Sequence, residues 1–192
     1  MACGEHPSEG DDYVTLPNLK RVRIRALQRG EERPIRELWT HLSPRTRYLR
    51  FLSMMATLPD SVIGRLVAVD DCKTMAFVAE HESDGSAIVV GLVNLGAVDD
   101  LSVEVGLVVR DDWQRRHLGT ELALRMMQAT ERRGFRRFVG HVLDENVAMR
   151  KLLRNIGEIV STKISGNVYE LSFVRRDSES QVPSPQPSVA GV

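Results

Sequence analysis

The sequence predicts an α/β (α+β) domain carrying a mixed, largely antiparallel sheet, and three observations point there. Hydrophobic periodicity switches repeatedly between two residues and about 3.6 along 20–174, the marks of half-buried strands and amphipathic helices. Three runs rich in β-branched residues, 74–82, 87–97 and 101–109, are separated only by Ser83-Asp84-Gly85 and Asp99-Asp100. Such turn-formers join adjacent antiparallel strands, so the runs make a meander. Finally, no internal repeat or Gly/Ser linker divides the stretch, and 192 residues suit one domain of ordinary size.

Taken in order, Val22, Ile24 and Ala26 alternate with Arg21, Arg23 and Arg25, which describes a half-exposed strand. A helix is expected over 31–42, with Pro34 in its first turn, Ile35, Leu38, Trp39 and Leu42 on one face, and Pro44 ending it. Further helices are expected over 45–55, anchored by Tyr48, Leu49, Phe51 and Leu52, and over 61–69 behind the Pro59-Asp60 start signal. The meander follows. From Leu118 the period lengthens: Leu118, Leu122, Met126 and Ala129 recur at helical spacing until Gly134 stops the run. A strand over 137–143, a helix over 146–155 and a hairpin of 158–164 with 167–174 across Ser165-Gly166 complete the reading. The folded domain is expected over 16–175. Residues 1–15, small, polar and acidic, read as a flexible N-terminal tail, and 176–192, with Pro183, Pro185 and Pro187 among serines, as a disordered one.

Composition narrows the function classes. Lys plus Arg and Asp plus Glu each number 26, so whole-chain charge offers no pull toward nucleic acid or acidic membranes, and any anion site must be local. Aromatics are only 5%, too few to interleave with arginines as a nucleic-acid platform. Cys3 and Cys72 lack metal-ligand or redox spacing, so neither a disulfide framework nor a metal site is expected. No apolar run approaches a membrane span and the N-terminus lacks a secretory pattern, so the protein is expected to be cytoplasmic.

The chemistry concentrates in 104–120, Glu-Val-Gly-Leu-Val-Val-Arg-Asp-Asp-Trp-Gln-Arg-Arg-His-Leu-Gly-Thr: an apolar strand, a short polar loop and a helix start. The first turn of a helix leaves backbone N–H groups unpaired and adds a partial positive charge. A loop shaped by Gly119 and flanked by Arg115 and Arg116 can therefore hold a pyrophosphate. On the pattern alone, an ordinary turn with solvated arginines fits equally well.

The segment Gln114-Arg115-Arg116-His117-Leu118-Gly119-Thr120 resembles the Gln/Arg-x-x-Gly-x-Gly/Ala signature of the GNAT superfamily of N-acetyltransferases. Val108-Val109 before it, the Leu122 helix after it, the strand ending at Leu143 and the Asn146-Val147-Ala148-Met149 helix start match in order and spacing, over about 20–174. The resemblance implies a splayed sheet flanked by helices and acetyl-CoA as cosubstrate. It places the pantetheine along Leu107, Val108 and Val109 and the pyrophosphate within Gln114, Arg115, Arg116, His117, Leu118, Gly119 and Thr120. Asn146 would cap its helix or contact the pantetheine. Three positions depart from the family pattern. His117 stands in place of the first glycine, and ordinary dihedrals with an added ring N–H donor are expected of it. Leu153 stands where many members carry an acidic tyrosine, leaving the acid unassigned, and Glu158 stands where phenylalanine is common.

Amide formation needs a neutral amine, and a lysine with reference pKa near 10.4 is protonated at neutral pH, so a base is required. On 101–109, Leu101, Val103, Val105 and Leu107 take one face while Ser102, Glu104, Gly106 and Val108 take the other. Glu104 is a charge within a sheet, and Gly106 beside it leaves room for a substrate chain. Its position also resembles that of the general-base glutamate in lysine-acetylating members; a solvent-facing glutamate is the plainer reading. His141 is a candidate second base, whereas His41 and His81 have no companions that suggest a metal. Arg125, Arg132, Arg133, Arg136 and Arg137 form a basic cluster, read as solvated surface or as a seat for the coenzyme's 3′-phosphate.

The run His41-Leu42-Ser43-Pro44-Arg45-Thr46-Arg47-Tyr48-Leu49-Arg50-Phe51, with Arg110-Asp111-Asp112-Trp113-Gln114, is similar to bacterial Pat-type protein lysine acetyltransferases, which modify AMP-forming acyl-CoA synthetases. Arg45, Arg47 and Arg50 equally suit an exposed helix face. The implied activity is direct transfer of acetyl from acetyl-CoA to an amine, with Glu104 as base and no metal. The acceptor is a protein lysine or, alternatively, a small amine; a noncatalytic acyl-CoA sensor would use the same cofactor site. No nucleic-acid or membrane partner is expected.

Overall fold

The computed structural model describes residues 12–18, 20–70, 73–83 and 85–176. Cys3, Cys72 and the expected C-terminal tail from 177 onward lie outside them. Along the chain run β1 (Asp12–Thr15), β2 (Arg21–Ala26), α1 (Arg33–Thr40), α2 (Pro44–Phe51), α3 (Asp60–Val67), β3 (Thr74–Ser83), β4 (Ser86–Ala97), β5 (Ser102–Val109), α4 (Leu118–Arg132), β6 (Arg137–Leu143), α5 (Val147–Ile156), β7 (Gly157–Ser165) and β8 (Val168–Arg175).

The strands form one eight-stranded sheet in the order β1-β2-β3-β4-β5-β6-β8-β7. Every neighbouring pair is antiparallel except β5 with β6. That parallel join follows from the crossover through α4, because only a long connection can return a chain to the same direction.

Two cores flank the sheet. Leu118, Leu122, Met126 and Met127 of α4 pack on Phe77, Val93, Val103 and Leu107, while Ile35 and Leu38 of α1 and Ile63 and Leu66 of α3 pack on Val78, Leu92 and Val108. Strand residues therefore alternate between the cores, which is why β3 and β4 read as continuous apolar runs.

Several expectations need correction. β1 lies wholly within the stretch 1–15 expected to be a flexible tail, and pairs Tyr13 with Arg23 and Val14 with Val22. Pro44 does not merely end a helix: it opens α2, behind Ser43, whose hydroxyl accepts from the Thr46 N–H at 3.2 Å. Pro tolerates that place because the first helical N–H has no intrahelical partner in any case. Leu101 belongs to the turn before β5 and is 61% exposed. Glu158 faces solvent, and Ile159 with Phe173 supplies the apolar filling at that corner.

Candidate functional site

The parallel join is short. Ser102, Val103 and Glu104 pair with Arg137, Phe138 and Val139, and β5 and β6 then separate, while the other edge of β6 stays paired with β8 from Phe138 through Leu143. Two cavities open along the resulting cleft. The larger, about 590 Å³, is lined by Glu104, Gly106 and His141 among others. The smaller, about 390 Å³, is lined by Leu107, Val108, Val109, Gln114, Arg115, His117, Gly119, Thr120 and Asn146. Arg50, Leu107, Asn146, Met149 and Leu152 border both, so the two are neighbours along one channel.

Most of the residues assigned to the acyl-CoA signature thus meet around one cavity, and two do not. Leu118 is fully buried in the core beneath α4. The Arg116 guanidinium lies 5.8 Å from the Trp113 ring centroid and lines neither cavity.

His117 overturns the expectation of ordinary dihedrals: its φ is 67° and ψ −5°, left-handed, and Arg115 also has a positive φ of 58°. Left-handed residues in a turn point neighbouring N–H groups into a concavity, which suits an anion. The strain of one such non-glycine residue, roughly 1–2 kcal/mol, is sustained by packing on either side. Trp113 and Leu118 are buried in the core, and a Cβ on Gly119 would stand 3.0 Å from Leu152 Cδ1 of α5. The first bonds of α4 run from the Thr120 and Glu121 N–H groups to the His117 carbonyl, so the Leu118 and Gly119 amides precede the helical ladder. The cradle fits a diphosphate.

Asp111 ties this loop to α2. Its carboxylate accepts from the Ser43 backbone N–H at 2.9 Å, the Ser43 hydroxyl at 2.7 Å and the Thr46 hydroxyl at 2.7 Å. Gln114 adds donations to the Thr46 hydroxyl and the Val109 carbonyl, at 3.3 and 3.1 Å. Burial works against the Asp111 charge, but the bonds from Ser43 and Thr46 outweigh it and hold the carboxyl below the usual carboxylate range.

Beside Glu104, the space left by Gly106 is not open to a substrate: the Arg50 guanidinium fills it, and a Cβ on Gly106 would collide with that group. Arg50 is therefore not part of an exposed helix face. Its Nη2 donates to Asn94 Oδ1 at 2.5 Å, and its buried Nε has no partner. Burial pushes its pKa down to about 10, a fall that the nearby Glu104 charge opposes.

Glu104 itself is exposed, with Oε1 3.3 Å from His141 Nδ1. Asn146 caps α5, its Oδ1 accepting from the Met149 N–H at 3.1 Å, while still bordering both cavities. Leu153 is buried against Gly140 and carries no proton to give. The arginine cluster, spread from Arg125 in the middle of α4 to Arg137 at the start of β6, lines neither cavity; Arg133 and Arg136 donate to the Ala129 and Glu131 carbonyls. Instead Lys151 of α5 joins Arg115 at the smaller cavity. Its signal was available: Ala148, Lys151, Leu152 and Asn155 recur at helical spacing on the cavity-facing side.

Among the described residues no group of three His, Cys, Asp or Glu side chains is arranged to hold a metal ion, and no helix is long and apolar enough to cross a membrane. His41 Nδ1 sits 3.0 Å from the Glu37 carbonyl, and the His81 ring packs 4.7 Å from Trp113.

Residues 21–158 match the acetyltransferase (GNAT) domain family. Acetyltransferase PA5475 of Pseudomonas aeruginosa is 30% identical over 151 residues, covering 78% of this chain and 81% of that protein. The GNAT domain of S. lividans PAT superposes with a TM-score of 0.77 at 21% identity, covering 88% of this chain and 99% of that one. Salmonella typhimurium yncA, solved with its cofactor acetyl-CoA, gives a TM-score of 0.62 at 16% identity over 82% of this chain and 95% of that one. At these identities the two structures speak to the fold.

Proposed function

Because the chain belongs to the acetyltransferase (GNAT) domain family, we propose that it transfers an acetyl group from acetyl-CoA directly to an amine, with Glu104 as base and a protein lysine as acceptor. The observation that carries the reading is Glu104 at the last paired position of the β5–β6 join, bordering a cavity that continues into the Gln114–Thr120 cradle. A thioester laid along Leu107, Val108 and Val109, its diphosphate on the loop amides, points its acyl end toward that carboxylate.

In this reading Glu104 takes the proton as the amine nitrogen attacks the thioester carbonyl. The C–N bond forms, the C–S bond breaks, and a β5 backbone N–H near Val108 or Val109 stabilises the oxygen as charge develops. With Leu153 in the place of an acidic tyrosine, the departing thiolate takes its proton from solvent. Arg115 and Lys151 complement the phosphates.

For the acceptor, the reading is supported by the similarity of Leu42-Ser43 through Phe51 to the Pat-type enzymes, a stretch whose Ser43 and Thr46 join Asp111 and Gln114 in one hydrogen-bonded unit beside the cavity. A lysine of an AMP-forming acyl-CoA synthetase is the proposed target. The test is thiol release from acetyl-CoA against a panel of amines and acyl-CoA synthetases. Glu104→Gln should keep acetyl-CoA affinity and lower turnover by roughly 100-fold or more. Unchanged turnover removes Glu104 from the role; turnover with small amines alone moves the acceptor to that class; binding without turnover on any acceptor leaves a sensor.

A further inference from the structure

Four charged or ionisable side chains cross the sheet in a row from the larger cavity to its edge: Glu104 on β5, His141 on β6, Glu170 on β8 and Lys163 on β7. Strand register puts them there. Glu104 pairs with Val139, His141 follows two residues later on the same face, and Glu170 is the direct cross-strand partner of both His141 and Lys163. The contacts run Glu104 Oε1 to His141 Nδ1 at 3.3 Å, His141 Nε2 to Glu170 Oε2 at 3.5 Å, and Lys163 Nζ to Glu170 Oε1 at 3.0 Å.

The arrangement has more order than scattered surface charge. Both imidazole nitrogens are engaged, each by a different carboxylate, and only one of those carboxylates borders the cavity beside Arg50. The other stands toward the sheet edge, where the Lys163 ammonium holds its carboxyl below the usual range. An imidazole between two carboxylates accepts a proton on one nitrogen while releasing one from the other, which no other side chain does near neutral pH.

We propose that His141 is the proton outlet for Glu104. This rests on Glu104 being the base. Each turnover leaves a proton on the Glu104 carboxyl, and that proton must leave before the next acceptor is deprotonated. It passes to His141 Nδ1, forming an imidazolium that the two carboxylates stabilise; Nε2 then gives its proton to water at the exposed edge, with Glu170 staying ionised beside it. The ring ends with the proton on Nδ1, and its exchange back to Nε2 through water resets the chain. No bond other than N–H and O–H bonds changes, and no co-reactant is needed.

His141 is thus a positioning and relay residue, acting through Glu104 rather than on substrate. The experiment measures thiol release from acetyl-CoA with a lysine peptide at saturating concentration. His141→Ala should lower kcat about 10-fold or more, toward the lower range of acid–base contributions, with the KM for acetyl-CoA unchanged, and free imidazole in the buffer should restore much of the loss. His141→Gln, which keeps the volume and one hydrogen bond, should be as slow as His141→Ala but insensitive to imidazole. Glu170→Gln should slow turnover less. A kcat that His141→Ala and His141→Gln leave unchanged, or a His141→Ala loss that imidazole does not relieve while thermal unfolding shows an intact fold, overturns the relay. Full activity of Glu104→Gln, or no thiol release by the wild type, instead overturns the reading on which it rests.

Discussion

Asp111 and Ser43, 68 positions apart in the chain, are joined twice: the Asp111 carboxylate accepts both the backbone N–H and the hydroxyl of Ser43. The same carboxylate accepts from Thr46 one turn into α2. A single side chain in the loop before α4 therefore sets where α2 begins, and α2 in turn delivers Arg50 to the cleft.

Asp111→Ala removes the shared acceptor and leaves three donors seeking water. Bonds to a charged group contribute more than neutral ones, and this site is partly exposed, so a loss of about 1–3 kcal/mol is expected in urea unfolding. Acetyl-CoA affinity should fall alongside, because Gln114 loses its fixed neighbour at Thr46. Unchanged affinity would separate the α2 contact from the cradle.

Acid should weaken the same contact, and the sign is determined by the direction of the shift. Asp111 ionises more readily in the folded protein than in the unfolded chain. Its contribution is complete above the ordinary carboxylate pKa of about 3.9, and is lost as pH falls from there through the lower native value. The stability difference between wild type and Asp111→Asn should therefore be constant near neutral pH and shrink on acidification below about 4. A difference that grows in acid would reverse the assignment.

Gly106 and Arg50 should behave as a coupled pair. Gly106→Ala places a methyl group where the guanidinium now lies, so Arg50 must leave Asn94, whereas Arg50→Ala vacates that space. In the Arg50→Ala background, Gly106→Ala should be nearly neutral, giving a coupling energy of about 1 kcal/mol in a double-mutant cycle. Additive effects would place the collision elsewhere.

His117 sits in the left-handed region with a Cβ, so glycine should be accepted there and a β-branched residue should not. His117→Gly is expected to change stability by less than about 1 kcal/mol, relief of strain offsetting the gain in unfolded-chain freedom. His117→Val is expected to cost about 1–2 kcal/mol. Calorimetric titration with acetyl-CoA should show the glycine variant binding like the wild type, which isolates the backbone of the loop from any contribution of the imidazole.

Elements with strong periodicity were legible in the sequence, since β3 to β5, α4 and the closing hairpin each carry enough apolar residues to declare their period. β1 was not, because Asp12–Thr15 is four residues long and adjoins an acidic stretch with no face of its own. Much of the cradle could be assigned from local motif, yet the conformation of His117 ran against its residue type, as happens where buried neighbours over-determine a backbone. The occupation of the Gly106 space by Arg50 and the alignment of Glu104, His141 and Glu170 were out of reach for a different reason. Both depend on strand register and helix docking across tens of residues, which no window of the sequence encodes.

Where β5 leaves β6, its hydrogen-bonding edge loses its partner after Glu104 while the opposite edge remains laddered to β4. Alternate amides between Val105 and Val109 consequently face a gap in the middle of an otherwise continuous sheet. Deuterium uptake at those positions should be faster than at their β4-facing neighbours, and an extended, amide-bearing arm lying in the gap should slow it, the visitor serving for a time as the missing strand.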